Sequence, residues 1–156
     1  MTMENQTLAL DYANTVMYEL EKAFWDERGR GARFRMMNVG REYYTAQCRP
    51  LLQQADQDAL VQAVIDLLKR DGIVADVAYA RDERLLKVTV KGCLHLAVEA
   101  KMVSHGIEPF TCVPANLMVM ALEEKLDRPV ELAEIKVENG ACQLLLVVFD
   151  RRPSLD

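Results

Sequence analysis

The dipeptide Asn139-Gly140 is the sequence feature that most constrains how this chain can fold. It separates two apolar runs, Val130 to Val137 and Ala141 to Phe149. A type I′ turn needs two successive residues that tolerate positive φ, and Asn-Gly is a pair that meets this need. The sequence therefore predicts an antiparallel hairpin closed by a two-residue turn.

The two-residue turn also predicts which side chains of this hairpin share a face. Glu134 and Cys142 fall on opposite faces, because side chains alternate along a strand. A single metal ion could take both as ligands only if a bulge intervened. The pairs predicted to face each other on the apolar side are Val137 with Cys142, Ile135 with Leu144, and Ala133 with Leu146.

The spacing of apolar residues predicts that the first half of the chain is mainly helical. Apolar residues at steps of three and four predict a long helix from Thr7 to Arg28. The glycines and arginines between Arg28 and Arg35 predict an exposed loop after it. A short helix near Arg41 to Gln47 follows, and Asp56 or Asp58 can cap the next helix. The apolar stripe of the first helix consists of Leu10, Ala13, Met17, Leu20 and Phe24.

A second hairpin and two more helices are predicted between these segments and the Asn-Gly turn. Ile73 to Ala80 and Arg84 to Val90 are predicted to be antiparallel strands. Cys93 to Val103 is apolar on most sides and predicts a largely buried helix, and Pro114 suits the first turn of a helix that runs to Lys125.

These elements predict an α+β fold in which helices pack on a small antiparallel sheet of about four strands, formed by the two hairpins. We expect a single domain over residues 1–150 and a C-terminal tail, 151–156, that frays. The four cysteines include no Cys-x-x-Cys pair and are expected to be free thiols. Because no secretory leader pattern is seen, we expect a cytoplasmic protein.

The charge balance disfavours nucleic acids and anionic membranes as general partners, since 24 acidic residues outnumber 19 basic ones and give a net charge of −5. No apolar stretch reaches the length of a membrane span. The arginine-rich segment around Phe34 leaves an anion or RNA site open as an alternative to a solvated loop. Its arginines are Arg28, Arg30, Arg33, Arg35 and Arg41.

Catalytic residues are not predicted from local patterns. Cys93 and His95 lie two positions apart on a predicted helix and point in divergent directions. His95 and Glu99 lie four apart, share a face, and are predicted to form a structural polar pair. The spacing of the cysteines and histidines matches no common zinc motif, so no metal is predicted. The residues that would be considered as ligands are Cys112, Glu134, Cys142, His95 and His105.

A series of short motifs runs from Leu85 to Phe149. A strand is followed by a Gly-Cys pair, a Pro-Phe-Thr-Cys segment enters a helix, and a Leu-Asp-Arg-Pro-Val segment leaves it. A glutamate then precedes a Gly-x-Cys motif in the closing hairpin. These motifs are Gly92-Cys93, Pro109 to Cys112, Leu126 to Val130, and Glu134 ahead of Gly140-x-Cys142.

In this order the motifs resemble the 4-vinyl reductase (hydrocarbon-binding) domain family, which shares its fold with the heme-nitric oxide sensor and with vesicle-tethering transport-particle subunits. The resemblance implies an apolar ligand pocket between helices and sheet, commonly in a dimer. Cys112, Glu134 and Cys142 match three of the positions that hold zinc in phenol-sensing members. Val137 stands where the family has a further cysteine.

We therefore expect a domain that binds an apolar or aromatic small molecule and has a sensory or regulatory role. The alternatives are a protein-interaction scaffold resembling the transport-particle subunits and a relative of the tetrapyrrole 4-vinyl reductases. No cofactor is identified, and binding is favoured over catalysis. The expected pocket residues are Leu96, Ala100, Val103, Cys112, Leu117, Met118, Ala121, Leu144 and Leu146.

A homodimer is also expected, with the first helix in the interface. Beyond its main stripe, this helix carries more apolar surface than docking onto one small sheet requires. A two-fold pairing of identical chains is the commonest way to cover such a surface. The additional apolar residues are Tyr12, Val16, Ala23 and Trp25.

Overall fold

The computed structural model describes residues 3–151, with side chains from residue 9 onward, so the tail predicted to fray, 151–156, lies outside the described part except for its first residue. Its four strands form one antiparallel sheet in the order β1-β2-β4-β3, and the predicted α+β fold is confirmed. The helices are α1 (Met3–Arg28), α2 (Ala32–Arg35), α3 (Arg41–Tyr43), α4 (Gln57–Arg70), α5 (Leu96–Ser104) and α6 (Val113–Leu126), and the strands are β1 (Asp76–Asp82), β2 (Leu85–Lys91), β3 (Val130–Glu138) and β4 (Ala141–Val148).

The β3–β4 hairpin closes through the predicted Asn-Gly turn, in which both residues have positive φ, 52° at Asn139 and 72° at Gly140. The predicted pairs Val137–Cys142 and Ile135–Leu144 are confirmed, but the predicted pair Ala133–Leu146 is wrong. Leu146 pairs with Leu132 because the register shifts between Leu132 and Glu134. The inward positions of β3 change from even to odd numbers at this bulge, and the strand thereby keeps its apolar side chains on the core side. The inward residues before and after the bulge are Val130, Leu132, Ile135 and Val137.

The main core is formed chiefly by α4, α6 and the inward side chains of the sheet, and α6 lies at its centre, packed against α4 and β3. Every residue from Pro114 to Leu122 is buried. Asn116 carries a buried amide, which donates to the carbonyl oxygens of Met36 at 3.0 Å and Val39 at 3.1 Å. These hydrogen bonds satisfy the amide and fix the segment between α2 and α3 against α6. Asp56 caps α4, as predicted, by accepting a hydrogen bond from the Ala59 amide at 3.1 Å.

Two sequence predictions are wrong in part. The segment after Arg28 is exposed at most of its positions, as predicted, but it is not a loop, because it forms a 3₁₀ turn at Gly29–Gly31 and then α2. Ala32 in α2 is fully buried, and that burial offsets the flexibility of the neighbouring glycines. Helix α5 is not largely buried, because α1 covers only one of its sides. The buried residues of α5 are Val98, Glu99 and Met102.

Helix α1 contacts α5 through a second, smaller apolar cluster. Trp25 of α1 stacks on Phe110, with 5.6 Å between ring centroids. The opposite face of α1 is open, with Tyr12 74% and Leu20 67% exposed. None of the described helices is both long and apolar enough to cross a lipid bilayer. The second cluster consists of Tyr18, Ala32, Val98, Met102, Ile107 and Phe110, with Met17, Phe24, Trp25 and Met36 packed against it.

Replacing Gly92 and Gly140 by alanine, one at a time, tests how tightly the turn after β2 is packed. Gly92 has φ 63°, and a Cβ built on it would lie 2.5 Å from the Cβ of Ala75. Gly140 has φ 72° and no atom within 4 Å of such a Cβ. We expect Gly140→Ala to cost about 1 kcal/mol for backbone strain, and Gly92→Ala to cost about 2 to 4 kcal/mol because overpacking adds to that strain. Urea unfolding measures both costs. Equal costs would show that the contact with Ala75 relaxes freely.

Candidate functional site

The residues predicted to wall a pocket do not lie together around one cavity. Leu96 is half-buried and packs against the main core, whereas Ala100 and Val103 are exposed on α5. The other predicted residues are closely packed members of the main core. They are Cys112, Leu117, Met118, Ala121, Leu144 and Leu146, each at most 3% exposed.

A cleft of about 430 Å³ lies between the end of α5 and the edge strand β3, and it is open to solvent. Val103 is the predicted pocket residue that lines it. Ile135 and Val137 are inward-facing but only half-buried, because β3 has no neighbouring strand on this side. The volume falls in the range of small-molecule sites, roughly 300 to 1,000 Å³. The lining residues are Arg33, Val103, Glu108, Pro109, Ala133, Glu134, Ile135, Lys136, Val137 and Glu138.

Charged side chains surround the apolar part of this cleft and are held by local partners. Lys136 Nζ lies 3.1 Å from Glu134 Oε1, and this hydrogen bond raises the pKa of Lys136. Arg33 donates a hydrogen bond to the carbonyl oxygen of Leu132, at the bulge of β3. Glu108 lies 3.8 Å from the guanidinium of Arg30. The cleft therefore combines an apolar surface with oriented charges of both signs.

The residues considered as metal ligands are separated. Glu134 pairs with Leu145 and Cys142 pairs with Val137, so the two side chains lie on opposite faces of the hairpin as predicted. The bulge precedes Glu134 and does not change this relation. Glu134 is exposed, whereas Cys112 and Cys142 are buried. Within the described part of the chain, no three His, Cys, Asp or Glu side chains form a group that could hold a metal ion.

A buried polar contact between α5 and β4 was not predicted. Cys142 Sγ donates a hydrogen bond to Glu99 Oε2 at 2.8 Å, and Glu99 is only 6% exposed. The predicted pair of His95 and Glu99 is not formed, since His95 Nδ1 is buried without a hydrogen-bond partner among the described residues. The hairpin register already placed Cys142 inward. The rotation of α5 that brings Glu99 to it depends on tertiary packing.

A second buried carboxyl group lies on α1. Glu21 is 8% exposed, and its Oε2 is buried without a hydrogen-bond partner in the described residues. Burial raises the pKa of Glu21 to about 7, and repulsion from Glu99 adds to this rise. Burial also raises the pKa of Glu99 to about 7, although the hydrogen bond from Cys142 acts in the opposite direction. Each carboxyl group therefore takes up or releases a proton near neutral pH.

The thiols around Glu99 are held in the protonated form. Burial raises the pKa of Cys93, Cys112 and Cys142, and the charge of Glu99 raises each of them further. Burial lowers the pKa of His95 and so favours the neutral imidazole. Because thiolates rather than thiols are nucleophiles and metal ligands, this environment suits proton storage better than covalent chemistry.

No protein-family model and no curated protein matches the chain. The resemblance to 4-vinyl reductase domains therefore stays a prediction.

The acid pair makes a specific prediction about stability. Below about pH 4.5 the carboxyl groups are protonated in the folded and the unfolded chain, so the pair carries no ionisation penalty. As pH rises from about 4.5 to the folded pKa values of about 7, stability is lost, because over this range the unfolded chain releases protons that the folded chain still holds. We expect Glu21→Gln and Glu99→Gln each to stabilise the fold above pH 7 by up to about 3 kcal/mol, at roughly 1.4 kcal/mol per pKa unit.

Urea unfolding at several pH values measures this gain, and Glu19→Gln, at an exposed position on the same helix, is the matched control. The gain should disappear toward pH 4.5, and the double variant should gain less than the two single gains together because the groups interact. A gain that does not depend on pH, or an equal gain in Glu19→Gln, would contradict the assignment.

Proposed function

We propose that this chain is a small-molecule-binding domain with a sensory or regulatory role, and that its ligand occupies the cleft between α5 and β3. The observation that supports the proposal is the cleft itself, with a volume of about 430 Å³ and an apolar surface bordered by charged side chains. Such a combination suits an apolar or aromatic molecule that carries one polar group.

The apolar part of the ligand would lie against Val103, Ile135 and Val137. These side chains are partly exposed, so a ligand that covers them removes apolar surface from water at about 25 cal/mol per Å². Its polar group would meet Arg33 or Lys136, which already lie in the cleft wall. Binding is favoured over catalysis because the cleft is lined by an apolar patch and locally paired charges.

Replacement of Val103 by Gln tests this site, because Gln keeps helix propensity and removes the apolar contact. We expect at least one of phenol, indole and naphthalene to raise the melting temperature of the native protein in a saturable manner. Val103→Gln should abolish the shift, and Val39→Gln should keep it, because Val39 is 39% exposed and does not line the cleft. The absence of any shift, or a full shift in Val103→Gln, would count against the cleft.

We also propose that two copies of the chain pair through the outward face of α1. The inner face of this helix packs against the second apolar cluster. Trp25, which was expected in the dimer interface, lies on this inner face instead. The outward face is an apolar stripe of the kind that marks protein interfaces. It carries Tyr12, 74% exposed, Val16, 37% exposed, and Leu20, 67% exposed.

Leu20→Glu tests the pairing, because a charge in the middle of an apolar interface is costly to bury. We expect sedimentation of the native protein to give twice the chain mass of 17.7 kDa at micromolar concentration, and Leu20→Glu to give a folded monomer. Leu51→Glu is the control, because Leu51 is 52% exposed and lies outside α1. A native protein that sediments as a monomer would refute the dimer.

A further inference from the structure

Helix α1 is attached to the domain through contacts separate from the main core. The main core contains none of the α1 side chains that the structure describes, from residue 9 onward, whereas the second cluster joins α1 to α5 and to the segment before α6. Asn14 Nδ2 adds one hydrogen bond to the carbonyl oxygen of Leu94, at 3.0 Å. The sheet, α4 and α6 therefore bury their apolar surface without help from the described side chains of α1.

The interface between α1 and α5 contains two buried carboxyl groups. Glu21 comes from α1 and Glu99 from α5, and both are more than nine-tenths buried. Neither forms an ion pair in the described part of the chain, and Glu21 Oε2 has no hydrogen-bond partner there. Two buried groups of like charge repel each other strongly once both ionise, because the surrounding protein screens them poorly.

We propose that Glu21 and Glu99 form a proton-controlled latch, in which α1 stays docked on α5 while the pair retains a proton and detaches when both groups ionise, with the main core still folded. The proposal is independent of the ligand cleft. Detachment is local because the contacts that it breaks belong to the second cluster, and local opening of such a unit costs less than global unfolding.

The pH window of the latch follows from the direction of the two shifts. Both carboxyl groups have a pKa raised to about 7, chiefly by burial, so the docked state is stable in acid and weakens as pH rises through neutrality. Detachment carries Glu21 into water, where it ionises at its ordinary pKa, and it removes the repulsion between Glu21 and Glu99. The free energy of this ionisation opposes redocking.

Other titratable groups around the interface do not neutralise the pair. On α1, Lys22 pairs with Asp26 at 2.8 Å. On α5, Lys101 Nζ lies 4.4 Å from the ring centroid of Tyr18, and burial lowers the pKa of His95 and favours its neutral form. The ring of His105, after α5, lies 5.7 Å from that of Tyr18. The thiols that face Glu99 from β4 and from the segments before α5 and α6 are Cys142, Cys93 and Cys112, whose pKa values are all raised.

Trp25 provides a direct reporter of this motion. It is the single tryptophan of the chain, it lies one turn after Glu21 on α1, and it stacks on Phe110 of the segment before α6. Detachment would expose its indole ring to water and to a soluble quencher. Emission wavelength and iodide quenching should therefore follow the docking of α1.

The experiment measures Trp25 quenching in the full chain from about pH 5.5 to about pH 8.5, together with hydrogen exchange corrected for intrinsic rates. For the native protein we expect quenching to rise several-fold with a midpoint near neutrality. Amides of α1 should lose protection over the same range, while those of β2, β4 and α6 keep theirs. Glu21→Gln, Glu99→Gln and the double variant should remain docked throughout, and Glu19→Gln should behave as the native protein.

Four results would overturn the latch. If iodide quenching of Trp25 in the native protein does not change with pH, α1 does not detach. This measurement uses the native protein alone and does not depend on whether a variant folds. A transition that persists in the double variant would assign it to another group. Simultaneous loss of protection in α1 and the sheet would show global unfolding. A transition that Glu19→Gln also abolishes would mean that the buried pair is not its specific cause.

Discussion

The burial of α6 on all sides is the constraint on which the rest of the structure depends. A helix that is apolar all round must be enclosed, and here α4, β3 and the segment before α3 contact it. Asn116 is the polar exception, and its two hydrogen bonds to backbone carbonyls determine where the segment at Met36 to Val39 lies. That segment in turn brings α2 near the bulge of β3, where Arg33 reaches the carbonyl of Leu132.

Strand β3 lies at the edge of the sheet, and this position explains both the charged residues that protect the edge from pairing with other chains and the cleft beside it. Exposed strand edges invite pairing with other chains, and proteins protect them with bulges and charged side chains. The bulge at Ala133 and the charged residues Glu134 and Lys136 serve this purpose here. The same edge leaves the apolar side chains of Ile135 and Val137 half-covered, so the cleft results from the way the sheet ends.

The domain divides its apolar contacts between a main core and a smaller cluster under α1. The main core consists of matched apolar surfaces with few buried polar groups. Its one buried polar side-chain atom without a partner in the described residues is Tyr44 Oη, whereas the interface under α1 contains the Glu21–Glu99 pair and the unpartnered atoms Asn14 Oδ1, Glu21 Oε2 and His95 Nδ1. Such groups cost stability, and the places where proteins retain them are commonly functional.

Short-range patterns in the sequence determined the elements of this protein. Asn139-Gly140 specifies the turn through positive φ, Asp56 caps α4 through its side-chain oxygen, and the period of the apolar residues distinguishes helices from strands. Each of these rules acts within a few residues, and for that reason the α+β class, the hairpins and most helix positions could be predicted.

Only the tertiary structure decided the bulge at Ala133, the burial of Ala32, the contact of Glu99 with Cys142 and the proximity of Glu21 to Glu99. Each depends on contacts between residues far apart in the chain. Glu99 lies on a helix predicted from its apolar neighbours, and nothing within one turn of it indicates that it will be close enough to interact with Glu21, 78 positions earlier in the numbering. The cleft could not be predicted for the same reason, because Val103 and Val137 become neighbours only when α5 is packed beside the sheet edge. Local sequence determines which backbone conformation has the lowest free energy over a few residues. The rotation of a helix and the side chains that it buries depend instead on the free energy of the whole packed domain.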